Sequence, residues 1–323
     1  MAGLVAYGAY VPYHRLDRTQ IRAALGTGGS KGTRAVASYD EDSTSMGVEA
    51  GRVALAGVPD RGVLRQLFFA TATPPYLDKT NATAVHAALD LDDDVLAVDM
   101  AGSARSGVGA FIAASQSPVP TLAVVSDVRT GLPGSADERD GGDGAAAFAF
   151  GAGSDLPVIV EIAAHASATA EFLDRWRIPG TPASRVWEER FGEEAYVPLA
   201  ETAVTDALKQ ANLTPDQVDH LIVTGLHGRA VKRATKAVGV RPEALVADRT
   251  DVIGNAGTAQ AGLLLSDVLD RADPDQTIVL VVLADGATAL LVEMSAATID
   301  RRLAGERAKM MPRGRSHTKP GSL

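Results

Sequence analysis

Two short turns carry the residues with the most chemical potential. Ala101-Gly102-Ser103 sets a hydroxyl just before a helix of small residues expected at 106–115. Ile253-Gly254-Asn255 sets a carboxamide just before a second helix expected at 258–269. A serine hydroxyl has a pKa far above neutral and attacks only with a base in hydrogen-bond reach. His227 is the candidate base, because it follows the apolar strand Leu221-Ile222-Val223, and α/β sites form past the C-terminal ends of strands. Ser103 is therefore a nucleophile served by His227, or a small polar residue in a turn. His227 is that base, or an ordinary loop histidine. The Asn255 amide could orient a carbonyl or a water, and it could equally cap the helix that follows. Gly286, in Asp285-Gly286-Ala287, could offer a backbone N–H to an oxyanion near Ser103, or form a plain turn. Arg229, Lys232 and Arg233, with Lys236, make a basic helix face beside His227, suited to phosphates or simply solvated.

The absence of cysteine excludes disulfides, zinc–thiolate sites and a thiolate nucleophile. His14, His86, His165, His220 and His317 show no ligand spacing, so no metal site is expected.

The elements that hold these turns recur. Helix 46–56, strand 67–70, strand 95–100, helix 106–115, strand 121–126 and the entry Asp143-Gly144-Ala145 form one set. Helix 202–211, strand 221–223, helix 258–269, strand 278–283 and the entry Asp285-Gly286-Ala287 form a second. A unit of roughly 150 residues is too long for a solenoid and indicates a duplicated α/β domain. Ser103 and Asn255 then become pseudo-twofold mates. Strands alternating with helices predict mostly parallel sheets covered on both faces. The Asp-Gly-Ala entries predict an antiparallel hairpin strand ending each half. In addition, Asp17 is expected to cap a helix to residue 25, Ser43 to cap the 43–56 helix, and 131–144 to form a polar loop.

At 323 residues the chain can bury a large core, and 46% hydrophobic with 22% charged residues marks it as globular. A net charge of −9 argues against a general nucleic-acid surface. No apolar run approaches the ~20 residues of a membrane helix, and the first residues carry no basic leader, so a cytoplasmic location is expected. Residues 166–198, the least repetitive part, hold Trp176 and Trp187 and read as a lid or as a surface excursion. Residues 301–319 carry seven Lys or Arg and read as a solvated basic tail or a patch for an acidic partner.

Several segments, taken in order, resemble the 3-hydroxy-3-methylglutaryl-CoA synthases. They are Tyr7-Gly8-Ala9-Tyr10-Val11-Pro12, Tyr39-Asp40-Glu41-Asp42-Ser43, Met46-Gly47-Val48-Glu49-Ala50, Thr73-Pro74-Pro75-Tyr76 and Asn81-Ala82-Thr83. The loop from Asp127 to Gly134 resembles the one after that family's nucleophile strand. The resemblance runs to about residue 293 and implies a thiolase fold shared with β-ketoacyl synthase III, with two pseudo-twofold halves in five layers, αβαβα. It implies acyl transfer and carbon–carbon bond formation between thioesters, with a CoA thioester as substrate and no permanently bound cofactor. It also implies a dimer, joined through the strand at 121–126. The family's cysteine falls on Ser103 and its glutamate on Ala72. Its histidine falls on His227 by one match, and on Thr224 by an ungapped match back from Lys236-Ala237-Val238-Gly239. Its asparagine falls on Asn255.

The expected organisation is a first half at 1–165, a cap at 166–198, a second half at 199–300 and a tail at 301–323. Three functions fit: an acyl-thioester transferase or carbon–carbon bond-forming enzyme with Ser103, His227 and Asn255 as catalytic residues; a catalytically degenerate subunit paired with a thiolase-like or acyl-CoA-binding partner; or a non-covalent aldolase-like lyase. The expected partners are acyl-CoA or an acyl-carrier protein, and a second copy of the chain or a related subunit.

Overall fold

A computed structural model describes residues 2–152 and 156–295. The expected tail at 301–323 lies outside the described residues. The first half contains β1 (Gly3–Tyr10), β2 (His14–Asp17), α1 (Arg18–Leu25), β3 (Thr33–Val36), α2 (Ser43–Ala56), β4 (Gln66–Thr71) and α3 (Ala82–Ala88). It continues with β5 (Leu96–Ala101), α4 (Arg105–Gln116), β6 (Thr121–Asp127), α5 (Ala136–Asp140) and β7 (Gly144–Gly151). The second half opens with β8 (Val160–Thr169), β9 (Arg175–Trp176), β10 (Arg185–Val186), α6 (Glu189–Gln210), β11 (His220–Gly225) and α7 (Gly228–Ala237). It ends with α8 (Gln260–Leu269), β12 (Thr277–Leu283) and β13 (Gly286–Met294).

The main sheet runs β5-β4-β6-β7-β1, then β8-β13-β12-β11, and the two parts join at the pairing Leu4↔Val160. Each part has the same plan. Parallel strands β4 and β6 match parallel β11 and β12; antiparallel β7 and β1 match antiparallel β13 and β8. Ser103 thus precedes α4 as Asn255 precedes the short 3₁₀ turn Gly257–Ala259 that leads into α8.

Side chains alternate between two buried faces, which is why these strands read as unbroken apolar runs. On β12, Ile278, Leu280 and Val282 enter the central core with α4 and α8, while Val279, Val281 and Leu283 enter the outer core with α6 and α7. On β7, Ala146, Phe148 and Phe150 face the centre, while Ala145, Ala147 and Ala149 face the outer layer with α2. Three buried clusters between five layers result, and small residues set the spacing. A Cβ on Gly8 would come within 2.5 Å of the Ala50 carbonyl, so only glycine lets β1 lie this close to α2.

Local signals account for most boundaries. Asp17 accepts the Thr19 N–H at the start of α1, as expected. At α2 the cap is Asp42 rather than Ser43: Asp42 and Ser45 exchange side-chain bonds with each other's backbone N–H in a capping box. Residues 131–144 include a short helix, α5, whose Ser135 cap accepts the Glu138 N–H. The hairpin β2–β3 has no counterpart in the sequence reading.

Two expectations change. Helix α6 starts at Glu189, not residue 202, and runs through Pro198. Proline removes one helical bond, but Tyr196, Ala200, Ala203 and Ala207 bury the adjoining face and hold the helix. Since β8 also extends to Thr169, the irregular excursion is 170–188, with β9 and β10 as its only strands among the described residues. Secondly, the strand expected at a dimer interface, β6, has both edges taken, by β4 and β7. In the first half's part of the main sheet the edge strand is β5, with Leu96 54% exposed; β11 ends the other edge and is bridged there at Leu221↔Leu245. Among the described residues no helix is long and apolar enough to cross a membrane.

Candidate active site

The turns after β4, β5, β11 and β12 open into a cavity of about 430 Å³, covered by residues of the 174–184 segment. Ala72, Ser103, Leu226 and Asp285 lie on its wall, each from a different turn. The covering segment is tied to the first half by two arginines. Arg177 Nη2 donates to the Ala72 carbonyl at 2.8 Å, and Arg175 Nη2 lies 2.5 Å from Asp137 Oδ2 on α5.

Ser103 sits beyond Gly102, whose φ of +128° suits glycine. Its hydroxyl accepts the Arg105 N–H at 3.3 Å; among the described residues no basic side chain reaches it. His227 does not meet it. Instead His227 caps α7, with Nδ1 accepting the Ala230 N–H at 3.1 Å. In the neutral ring that bond assigns the proton to Nε2. Only 6% of the residue is exposed, and among the described residues Nε2 has no hydrogen-bond partner.

What His227 faces is Asp174. A Cβ built on Gly192 of α6 would lie 2.7 Å from His227 Nε2 and 2.8 Å from Asp174 Oδ1, so both atoms border one small gap. Asp174 is 6% exposed, and its Oδ2 accepts the Tyr196 hydroxyl at 3.2 Å while Oδ1 is unpaired. Burial pushes the Asp174 carboxyl above the usual range, against the pull of His227 and the Tyr196 bond. Asp174 and Tyr196 both border the cavity. The structure therefore brings Ser103, Asp174 and Tyr196 to one space and leaves His227 behind Asp174.

The other sequence candidates sit elsewhere. Asn255 spends its amide on the scaffold: Nδ2 donates to the Gly225 carbonyl at 2.9 Å and Oδ1 accepts the Gly257 N–H at 3.0 Å. It fastens the end of β11 to the turn before α8. Gly286 has φ of +119°, and a Cβ there would meet the Ala168 carbonyl at 2.4 Å and Arg105 Nη1 at 2.6 Å. The cavity wall at this turn is Leu283, Ala284 and Asp285, with Arg105 donating to the carbonyls of Ala284 and Asp285. Arg233 on α7 pairs with Glu193 and Glu194 of α6 at 3.3 and 2.6 Å. Neither Arg229, Lys232 nor Arg233 borders the cavity. Thr224 is buried at the end of β11.

One residue organises the cavity floor without touching it. Asp127, fully buried at the end of β6, accepts through Oδ1 from the Thr71 hydroxyl, the Ala72 N–H and the Thr73 hydroxyl. Through Oδ2 it accepts the Thr258 N–H at 2.7 Å. An aspartate closing an otherwise apolar strand was the available signal for it. No signal marked Asp174 or Tyr196, which lie in the stretch with no internal repeat.

Comparison with known proteins agrees with this fold. Residues 208–294 match the family 3-oxoacyl-[acyl-carrier-protein (ACP)] synthase III C terminal. The 3-oxoacyl-(acyl carrier protein) synthase III of Pseudomonas aeruginosa superposes with a TM-score of 0.78 at 20% identity, over 91% of this chain and 98% of that one. A hydroxymethylglutaryl-CoA synthase solved with CoA superposes with a TM-score of 0.80 at 16% identity, over 93% of this chain and 84% of that one. The fold is thus the α/β thiolase-like fold. In sequence, the hydroxymethylglutaryl-CoA synthase of Methanopyrus kandleri is 29% identical over 302 residues, 88% of this chain and 85% of that protein. That of Aeropyrum pernix is 32% identical over 300 residues, 88% of this chain and 82% of that protein. The duplicated halves, the cavity at their strand ends and this full-length similarity together place the chain in the hydroxymethylglutaryl-CoA synthase family.

Proposed function

We propose that this protein catalyses carbon–carbon bond chemistry on an acyl thioester, carried by CoA or a carrier protein, and that it does so without an acyl-enzyme. The observation that carries this reading is the buried Asp174 carboxyl on the wall of the cavity that also holds Ser103. A carboxyl pushed up by burial is suited to exchange a proton with a carbon acid. In its ionised form it takes the α-proton of the thioester. The resulting enolate attacks the carbonyl of a second substrate, and the new alkoxide takes a proton back. The Ser103 hydroxyl serves the oxyanion as a donor. Tyr196 holds Asp174 through Oδ2, and His227 Nε2 borders the same small gap as Oδ1. Ser103 occupies the place that the family resemblance gives to cysteine, but it lacks the base that an alcohol nucleophile needs.

The test is deuterium exchange at the α-carbon of acetyl-CoA and propionyl-CoA in heavy water, with intact mass recorded in parallel. Wild type should exchange, Asp174→Asn should slow this by roughly 10²–10⁴-fold, and Ser103→Ala should retain exchange. An acyl adduct on Ser103 would restore the covalent route. A second reading, a subunit that binds thioesters without turning them over, draws on Ala72 and Ser103 standing where the resemblance expects glutamate and cysteine, and on a histidine position that falls on His227 by one match and on Thr224 by another. Binding without exchange or adduct would favour it.

A further inference from the structure

Three arginines border the cavity, Arg129, Arg175 and Arg177, and the mechanism above uses none of them. Their anionic partners are too few. Asp137 lies 2.5 Å from Arg175 Nη2 and 3.4 Å from Arg129 Nη2, so one carboxylate serves two guanidiniums. Arg177 rests on a neutral carbonyl. Arg129 is 8% exposed and its Nε has no hydrogen-bond partner. Other nearby carboxylates are committed. Asp143 accepts the N–H groups of Ala37 and Arg129 and pairs with Arg34 at 3.6 Å. Asp127 is filled by Thr71, Ala72, Thr73 and Thr258. Asp174 and Asp285 also border the cavity, but among the described residues neither makes an ion pair with Arg129, Arg175 or Arg177. A buried guanidinium with incomplete partners is costly, and a charge-assisted bond to an oxyanion is among the stronger remedies. Burial and neighbouring Arg175 push Arg129 below the usual arginine range, as expected of a cation short of anions.

We infer that Arg129, with Arg175 and Arg177 beside it, receives a carboxylate on the acyl group, so that the cavity takes a carboxyacyl thioester in preference to a plain one. This rests on the acyl-thioester reading. A phosphate of CoA lies a full pantetheine arm from the sulfur, whereas Arg129 and Ser103 border one cavity of about 430 Å³. A carboxylate a few carbons beyond the thioester carbonyl suits that separation.

The test compares succinyl-pantetheine with butyryl-pantetheine, two thioesters of equal chain length without phosphates, by calorimetric titration of the wild-type protein. Succinyl-pantetheine should bind roughly tenfold or more tightly, the size of a charge-assisted bond. Arg129→Met should abolish that preference and leave butyryl-pantetheine unchanged, and Arg129→Lys should restore part of it. The wild-type comparison stands even if the methionine variant fails to fold. Equal binding of the two pantetheine thioesters would overturn the inference while leaving the acyl-thioester reading intact. So would a gain seen only when the same acyl groups are carried on CoA, since the arginines would then be reading phosphate. Failure of both acyl groups to bind on either carrier would overturn both readings.

Discussion

Gly192→Ala puts two known effects in opposition. Inside a helix, glycine costs about 0.5–1 kcal/mol relative to alanine, so the exchange should stabilise α6. Here the added methyl would lie 2.6 Å from His227 Cδ2, 2.7 Å from Nε2 and 2.8 Å from Asp174 Oδ1. Real carbon contacts do not occur at such distances, so the imidazole or the carboxyl must move. Overpacking of this kind costs typically about 1–3 kcal/mol. His227 cannot swing freely, because its Nδ1 holds the Ala230 N–H at the start of α7. Asp174 is held by Tyr196. At the middle of both ranges the overlap prevails, with a net loss of about 1 kcal/mol once the helix gain is subtracted. Urea denaturation of both proteins measures it, and α-deuterium exchange should fall in the same variant because Asp174 is displaced. In a His227→Ala background the obstruction is mostly gone. There Gly192→Ala should become near neutral or stabilising, a coupling readable from a double-mutant cycle. A wild-type Gly192→Ala that is simply more stable, by the amount helix propensity gives, would refute the contact between α6, His227 and Asp174.

Stability should also report the Asp174 carboxyl. Burial raises its native pKa, so the native state keeps that proton at pH values where the unfolded chain, with a pKa near about 4, has lost it. Native protein then binds more protons, and this group's contribution falls as pH rises from the unfolded value through the native one. Relative to wild type, Asp174→Asn should gain stability across that window; melting temperatures of both proteins over a pH series check this, and a flat difference would count against it. Light scattering at micromolar concentration should find a dimer paired along the free edge of β5, and Leu96→Lys should weaken it, since edge lysines oppose strand pairing. A monomeric wild type would end that proposal.

Much of the fold was legible because its strands are buried on both faces. Residues 278–283 and 145–150 can hardly form anything but covered strands, and the Asp-Gly-Ala entries marked antiparallel returns that the structure has, Asp127↔Gly144 and Leu283↔Ala287. The start of α6 was hidden because Pro198 argues locally against a helix that tertiary packing supports. Strand order was hidden as well. Nothing in residues 121–126 says that β6 lies between β4 and β7, so the free edge could not be read. The candidate site was legible only in part. A turn sequence located Ser103, but the direction in which His227 points depends on its capping bond. The gap it shares with Asp174 exists only because Gly192 of a third element passes there. Such meetings have no periodic signature along the chain.

Two of the ties across the pseudo-twofold are unequal in kind. Asp127, ending the first half's β6, takes a backbone N–H from the start of the second half's central helix region. Arg105, opening the first half's central helix, takes backbone carbonyls at the end of the second half's β12. Both of these side chains come from the first half, and the second answers them with main chain and the Thr169 hydroxyl, which accepts from Arg105 Nη2 at 2.7 Å. The position matching Asp127 after β12 is Ala284, which has no side chain to reciprocate. For the history of the gene this works as a ratchet. Once the first copy of the duplicated domain supplied both of these side chains and the second matched neither, the two halves were no longer interchangeable at this joint. Sequence drift in the second half's turns is tolerated so long as the backbone keeps its path, whereas a single substitution at either first-half position cuts a joint that the other half cannot replace.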